Sequence, residues 1–527
     1  MPALPIIAIA VLFLVAVVML IIRNYVPRYG YTWLAAVIGA FFAWLLLIVS
    51  KASIPQTIQL KILQLADSPA DSPLLLLDDI SWVFAVALAT LLLSVLLTDV
   101  ARASETDWSA WTANLTLTAF GLFSIFAGNP LTLLLAWVAV DFAELLVMFW
   151  RVQTGSNRER VVFVFSTRMA GIFLLLWAWI VSKQYQPTSS FETMPEGVTV
   201  LILLAAWIRL GIIPIQLPQL HEASVRRSLG TLAILVSAAS SFVLIVRTAN
   251  VGVLGWQVPF LLLLTGIVAF YGSFSWFFSQ NELAGRPYWI IALSALSVAS
   301  AVRVQPSASL AFGLTAILSG SVLFLYSARR RWLLLITVLG LINILMLPGT
   351  LSWNGSNLFI SPLNPVILIY LLAQALLVAG YYRHARLDVQ SLTGVERWVW
   401  VVYTMGLCLI SLFQIPVALD ININNGVLIT TINISTLWPG LVVLGLAGLI
   451  LFLRQRGWSI SPQSQARIRI IFSLEWFYRS VGYLYQFIGR IISIVTFVLE
   501  GEGGVLWLLL WLALLFVLIS QGNLGGI

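Results

Sequence analysis

The chain reads as an all-α, polytopic membrane protein, and three observations lead there. Of its 527 residues, 61% are apolar and only 9% are charged, against roughly a quarter charged in a soluble domain. Apolar stretches near the ~20 residues that span a bilayer core recur along the chain. Its Lys and Arg residues gather in alternate loops. Candidate spans fall near 3–22, 31–50, 80–98, 112–127, 130–150, 161–182, 197–217, 229–247, 256–277, 287–302, 306–326, 332–348, 362–381, 398–416, 436–453 and 504–520, so about 14–16 transmembrane helices are expected. The first begins Met-Pro-Ala-Leu without a basic start and is followed by further spans. It therefore reads as a retained helix and not a cleaved signal.

The alternation of positive charge tests that count. Loops after odd-numbered spans hold nineteen Lys and Arg residues, among them Arg102, Arg151, Arg227, Arg286 and Arg383. Loops after even-numbered spans hold five: Lys51, Lys61, Lys183, Arg247 and Arg303. A miscounted span in the middle would scramble that parity. The positive-inside rule then places odd loops in the cytoplasm and the N-terminus outside, in an inner or other energy-transducing membrane of a prokaryote or organelle.

Composition also removes several kinds of chemistry. Cys408 is the only cysteine, and His221 and His384 are the only histidines. A disulfide scaffold is therefore excluded, and zinc or cysteine–histidine catalysis has almost no ligands to draw on. No glycine-rich phosphate loop or nucleophile–base pair is present, so no catalytic centre, metal or cofactor is expected in the chain. Arg226-Arg227 and Arg329-Arg330-Arg331 read as topology signals and not as nucleic-acid contacts.

Two spans are interrupted. The seventh runs Trp207-Ile-Arg-Leu-Gly-Ile-Ile-Pro214-Ile-Gln-Leu-Pro218, and the twelfth contains Leu347-Pro348-Gly349-Thr350. Freed backbone groups persist at membrane depth only against protein or a wet cavity. Breaks five spans apart suit two inverted repeats with a polar pathway between them; ordinary proline kinks or helix ends suit them too. Near the first break lie four intramembrane charges: Asp141 and Glu144 in span five, Arg168 in span six and Arg209 in span seven. Each costs at least ~2.5 kcal/mol at the membrane centre if unpaired. Asp141 and Glu144 are three residues apart and share a helix face. The cluster fits either an ion pathway or a structural ion pair. From Arg331 to Arg383 there is no charged residue between, and hydroxyls cannot store a proton at neutral pH. His221 and Glu222 follow the broken seventh span and fit a proton entry point or a solvated loop. Residues 467–500 mix arginine and aromatics along an apolar stretch, as in a helix lying in the interface near 475–499.

These motifs resemble the antiporter-like membrane subunits of respiratory complex I, shared with Mrp-type antiporters, membrane-bound hydrogenases and inorganic-carbon uptake complexes. The resemblance covers roughly residues 70–455. It rests on Leu77-Asp78-Asp79-Ile80-Ser81, Phe165-Ser-Thr-Arg168-Met-Ala-Gly171, the Arg209…Pro214…His221-Glu222-Ala223 run, Val322-Leu-Phe-Leu325 and Leu347-Pro348-Gly349. It implies a fourteen-helix core of two inverted five-helix repeats, each with a proton half-channel. The corresponding division is 1–110 for N-terminal helices, 111–250 and 251–416 for the repeats, and 417–527 for C-terminal helices. In the family a glutamate after a tryptophan in span five pairs with a lysine in span seven, and lysines or histidines in spans eight, eleven and twelve pass the proton on. Here the glutamate position is Val138, the lysine position is Arg209, span eight offers Thr231 and serines, and the span-eleven positions fall near Ala316 and Gly320.

Two functions follow as expectations. One is proton or cation translocation in the membrane arm of a complex-I-like assembly, an NADH:quinone oxidoreductase-like translocase driven by a redox or uptake module in partner subunits. The other is a non-pumping scaffold that keeps the fold and docks other membrane subunits, with a peripheral cytoplasmic module on its arginine-rich face. Quinone, NADH, flavin and iron–sulfur chemistry would lie in partners.

Overall fold

A computed structural model describes residues 4–25, 29–59, 72–102, 107–152, 155–185, 190–191, 194–212, 227–327, 331–360, 365–387, 396–424 and 434–456, with isolated positions between 480 and 513. The chain divides into two compact units, Met1–Ser459 and Ile460–Ile527.

The first unit contains sixteen α-helices among the described residues: α1 (Leu4–Tyr25), α2 (Tyr29–Val49), α3 (Asp79–Asp99), α4 (Trp108–Ile125), α5 (Pro130–Arg151), α6 (Gly155–Tyr185), α7 (Glu196–Arg209), α8 (Ser228–Thr248), α9 (Val258–Phe278), α10 (Glu282–Val302), α11 (Pro306–Leu325), α12 (Arg331–Ile342), α13 (Asn357–Ile360), α14 (Val366–Arg386), α15 (Arg397–Asn424) and α16 (Ile434–Gln455). Eleven described helical segments are long and apolar enough to cross a membrane. The protein is an all-α, multi-pass membrane protein. Each of the first fifteen expected spans has its helix, and the short α13 is additional. In the second unit, the described positions Ser480 to Ser493 and Leu509 to Ala513 are helical; the rest of the expected interfacial helix and last span lies outside the described residues.

Burial sorts these helices into layers. α3, α8 and α11 are buried almost throughout, whereas α1, α2 and α16 expose long apolar faces. Two short antiparallel strands, β1 (Gln56–Gln59) and β2 (Leu74–Leu77), with Gln56 opposite Leu77, precede α3. Asp78 then caps α3: its carboxylate accepts from the Ser81 N–H at 2.8 Å, and the Ser81 hydroxyl accepts from the Asp78 N–H at 2.9 Å. That reciprocal pair satisfies two amides the helix would leave unbonded.

Polar groups from odd-numbered and even-numbered loops meet at opposite ends of the bundle. At one end Arg102 donates to the Leu325 carbonyl (2.8 Å) and Ser327, and Arg227 to Glu282 (2.7 Å). At the other, Arg247 reaches Asp78 (3.3 Å) and the Ala127 carbonyl, while Lys51 pairs with Asp420. The parity read from the sequence is thus realised as two distinct polar ends.

Both expected interruptions coincide with helix ends. α7 stops at Arg209, five residues before Pro214. Gly211 takes the left-handed conformation (φ 75°), its N–H bonds the Ile208 carbonyl at 3.2 Å, and the Ile212 N–H bonds Trp207 at 2.9 Å. This double bond pattern closes a helix at a glycine, so the glycine and not the proline ends it. Pro214, Pro218, His221 and Glu222 lie outside the described residues. α12 ends at Ile342, and Gly349 (φ 76°), beside Pro348, and Met346 (φ 53°) turn the chain back. Asn343 and Ser352 hold the turn: the Leu351 N–H donates to Asn343 Oδ1 (3.1 Å) and the Met346 N–H to Ser352 Oγ (2.9 Å). Gln374 of α14 donates to the Ile344 carbonyl at 2.9 Å.

Candidate functional site

α5 turns Trp137, Asp141 and Glu144 inward and Val138 outward. Trp137 and Asp141 are almost fully buried, while Val138 is 45% exposed. One turn of helix separates Trp137 from Asp141, so Asp141, and not a residue at 138, occupies the inward face.

Asp141 receives Arg209 through both terminal nitrogens, one at 2.9 Å from Oδ1 and the other on Oδ2. This is the fork-on-carboxylate geometry that a lysine cannot make. The Arg209 guanidinium lies 4.3 Å from the centre of the Trp137 ring, and Nη2 also reaches Ser237 Oγ of α8 at 3.4 Å. Arg168 of α6 stands 3.7 Å from Asp141 Oδ1 and bonds Glu144 Oε2. Gly171, less than one turn on along α6, lets α7 come close: a Cβ there would meet the Ala205 carbonyl at 3.0 Å and the Arg209 side chain at 3.2 Å. The four expected intramembrane charges therefore form one buried quartet, balanced two against two. At an effective dielectric near 20, each contact at ~4 Å is worth about 4 kcal/mol of Coulomb attraction before desolvation.

The quartet borders a cavity of about 330 Å³, whose lining includes Glu144, Arg168, Arg209, Asn281 and Arg286. Arg286 of α10 donates to Thr231 of α8 at 2.7 Å. A hydroxyl series continues along α8, where Trp137 Nε1 donates to Ser240 Oγ at 3.0 Å. Asp141 and Glu144 both line this space; Asp141 meets two arginines and Glu144 one.

The second half is packed differently. Trp276, Trp289, Phe324, Tyr381 and His384 form one aromatic cluster, with Trp276 4.4 Å from His384, 5.3 Å from Trp289 and 6.3 Å from Phe324, and Trp289 5.8 Å from Tyr381. Glycines make the niches. A Cβ at Gly285 or Gly380 would come within 2.5 Å of the Trp276 ring, and one at Gly320 or Gly340 would collide with Trp289 or Tyr381. Trp289 Nε1 donates to the Ala316 carbonyl at 3.1 Å. The two positions that the family resemblance assigns to a proton relay, Ala316 and Gly320, are thus covered by one indole. Beyond it, Ser319 donates to Gln414 of α15 at 3.1 Å.

Sequence reasoning did not anticipate that several loop charges are also buried. Asp99, at the end of α3, accepts from Ser228 Oγ at 2.7 Å and Trp111 Nε1 at 3.2 Å. Glu282 is 1% exposed. Both sit at span ends, where hydropathy gives no sign of burial. Among the described residues, no group of three His, Cys, Asp or Glu side chains could hold a metal ion.

Neither a protein-family model nor a curated protein sequence matches the chain. Solved structures do. A chain of the Mrp complex from Dietzia sp. DQ12-45-1b superposes with a TM-score of 0.72 at 13% identity, over 99% of this chain and 62% of that one. This protein thus spans less than two thirds of that relative's length. A chain of the membrane-bound sulfane sulfur reductase, an archaeal respiratory membrane complex, gives 0.66 at 14% identity over 97% and 99%. One from respiratory complex I of Thermus thermophilus gives 0.58 at 16% over 79% and 98%. These likenesses show the fold, which this chain shares with membrane chains of three multisubunit complexes.

Proposed function

We propose that this chain is a membrane-arm subunit of a complex-I-like assembly, carrying protons or another cation through its first half while its second half is closed. The observation that carries this reading is the quartet of Asp141, Glu144, Arg168 and Arg209 beside a cavity. Asp141 faces two guanidinium groups and serves as the fixed anchor. Both acids line the cavity, but Glu144 faces only one guanidinium and is the group that exchanges a proton or cation. Arginine keeps its proton in proteins, so Arg168 and Arg209 hold and orient charge and do not relay it. The driving chemistry, redox or uptake, belongs to partner subunits. The segregation of odd and even loops supports an N-terminus outside, in an energy-transducing inner membrane. The two helix breaks support paired inverted repeats.

The test is ion uptake by proteoliposomes containing the whole assembly. Glu144→Gln is expected to abolish uptake while the subunits still copurify. Unchanged uptake would reject translocation by this route. The aromatic filling of the second half favours a second reading, a scaffold that has lost pumping, and that reading predicts the unchanged result.

A further inference from the structure

We propose that the arginines at the ends of α14 and α16 form a binding site for the headgroup of an anionic phospholipid, with its acyl chains laid along the outer face of α16. Arg383 donates to the Phe277 and Ser279 carbonyls at the end of α9, and the Arg454 guanidinium lies 5.5 Å from the Phe277 ring centre. Arg386, three residues beyond Arg383, stacks on Tyr382 at 4.5 Å, and Arg456 stacks on Phe452 at 4.7 Å. Three guanidinium groups, Arg386, Arg454 and Arg456, are exposed at this end of the bundle. Among the described residues no carboxylate lies within ion-pair distance of them. Their contacts are ring faces, which hold a guanidinium in place without neutralising it.

Below them the surface is apolar. Leu441, Leu444, Leu449 and Phe452 are each about half exposed. Gly445 and Gly448 have open space where a side chain would stand. Positions 441, 445, 448, 452 and 456 follow one helix face, so the trough ends at the Arg456 guanidinium. An exposed apolar trough that terminates in arginines with no carboxylate partner among the described residues complements one molecule well: a lipid with a phosphate and no balancing cation. Juxtamembrane arginines attract such headgroups electrostatically.

A photo-reactive benzoylphenylalanine at Leu449 in the full chain tests this. The chain is reconstituted into discs of phosphatidylcholine with a minority of phosphatidylglycerol, and the adducts are identified by mass spectrometry. Phosphatidylglycerol is expected to be enriched about tenfold over its bulk share. The triple variant R386Q/R454Q/R456Q should return it to bulk, and R386K/R454K/R456K should retain it. Should the glutamine variant fail to fold, rising salt must lower the enrichment in the unsubstituted protein. Adducts in bulk ratio, or adducts only to protein, would overturn the proposal.

Discussion

Trp289 fills the space that any side chain on Gly320 would need. The indole is fully buried and hydrogen-bonded to the Ala316 carbonyl at 3.1 Å, so it has no easy rotamer to retreat to. Gly320→Ala is expected to destabilise the protein by about 1–3 kcal/mol, the ordinary result of overpacking, read as a lower thermal midpoint in detergent. Gly320→Lys should lose more and gain no ion conduction. A lysine variant as stable as the parent would show that the aromatic cluster is not rigid.

Asp141 and Arg209 are each fully buried side chains. Removing one partner leaves an uncompensated charge, which costs about 3–5 kcal/mol. Asp141→Asn should therefore lower stability strongly. The double variant Asp141→Asn, Arg209→Gln should recover part of that loss, and a double-mutant cycle measures the coupling. Additive losses would mean that the pair does not interact as described.

Gly211 closes α7 in the left-handed region, at φ 75°. Gly211→Ala forces a Cβ into that conformation and is expected to cost about 1 kcal/mol. Because Arg209 lies in the same terminal turn, the substitution should also perturb the quartet. Tryptophan emission is a useful probe, since Trp137 stacks on Arg209.

Asn343 and Ser352 supply the bonds that hold the turn after α12. Asn343→Leu leaves the buried Leu351 amide without its partner, with an expected loss of ~1–3 kcal/mol. Faster hydrogen exchange at residues 344–352 would accompany it. Exchange unchanged in that stretch would mean that Gln374 and Ser352 suffice.

Asp107 caps α4 outside the membrane-spanning segments. Partial burial works against its charge, but Arg151 and the Ala110 N–H outweigh that and hold its pKa below the ordinary carboxylate value. A depressed acid stabilises the fold above its unfolded pKa of about 4 and loses that contribution as pH falls through the folded value. The acid-side loss of thermal stability should be smaller in Asp107→Asn than in the parent protein. An identical acid limb in both would remove Asp107 from the account.

Much of the site was legible because charge in oil is conspicuous. Asp141, Glu144, Arg168 and Arg209 stand out in apolar spans, and desolvation cost alone requires them to meet. Which acid pairs with which arginine was not legible, since it depends on where Gly171 lets α6 and α7 approach. In sequence the interruption of the seventh span points to its prolines, because proline is the stronger breaker, yet Gly211 closes α7 three residues before Pro214. The aromatic cluster left no trace at all: Trp276 and Trp289 look like any apolar residues until their glycine niches are seen. Asp99 and Glu282 escaped notice because they sit at helix termini, where hydrophobicity carries no information about depth.

The clamp between α5 and α7 has a consequence for biogenesis. Its two residues are 68 positions apart, so α5 is made well before α7 emerges from the ribosome. A lone acid-bearing helix would enter lipid at a cost of several kcal/mol. Arg168 on α6 supplies the first counter-charge and Arg209 the second, which makes these three helices a unit that must leave the insertion machinery together.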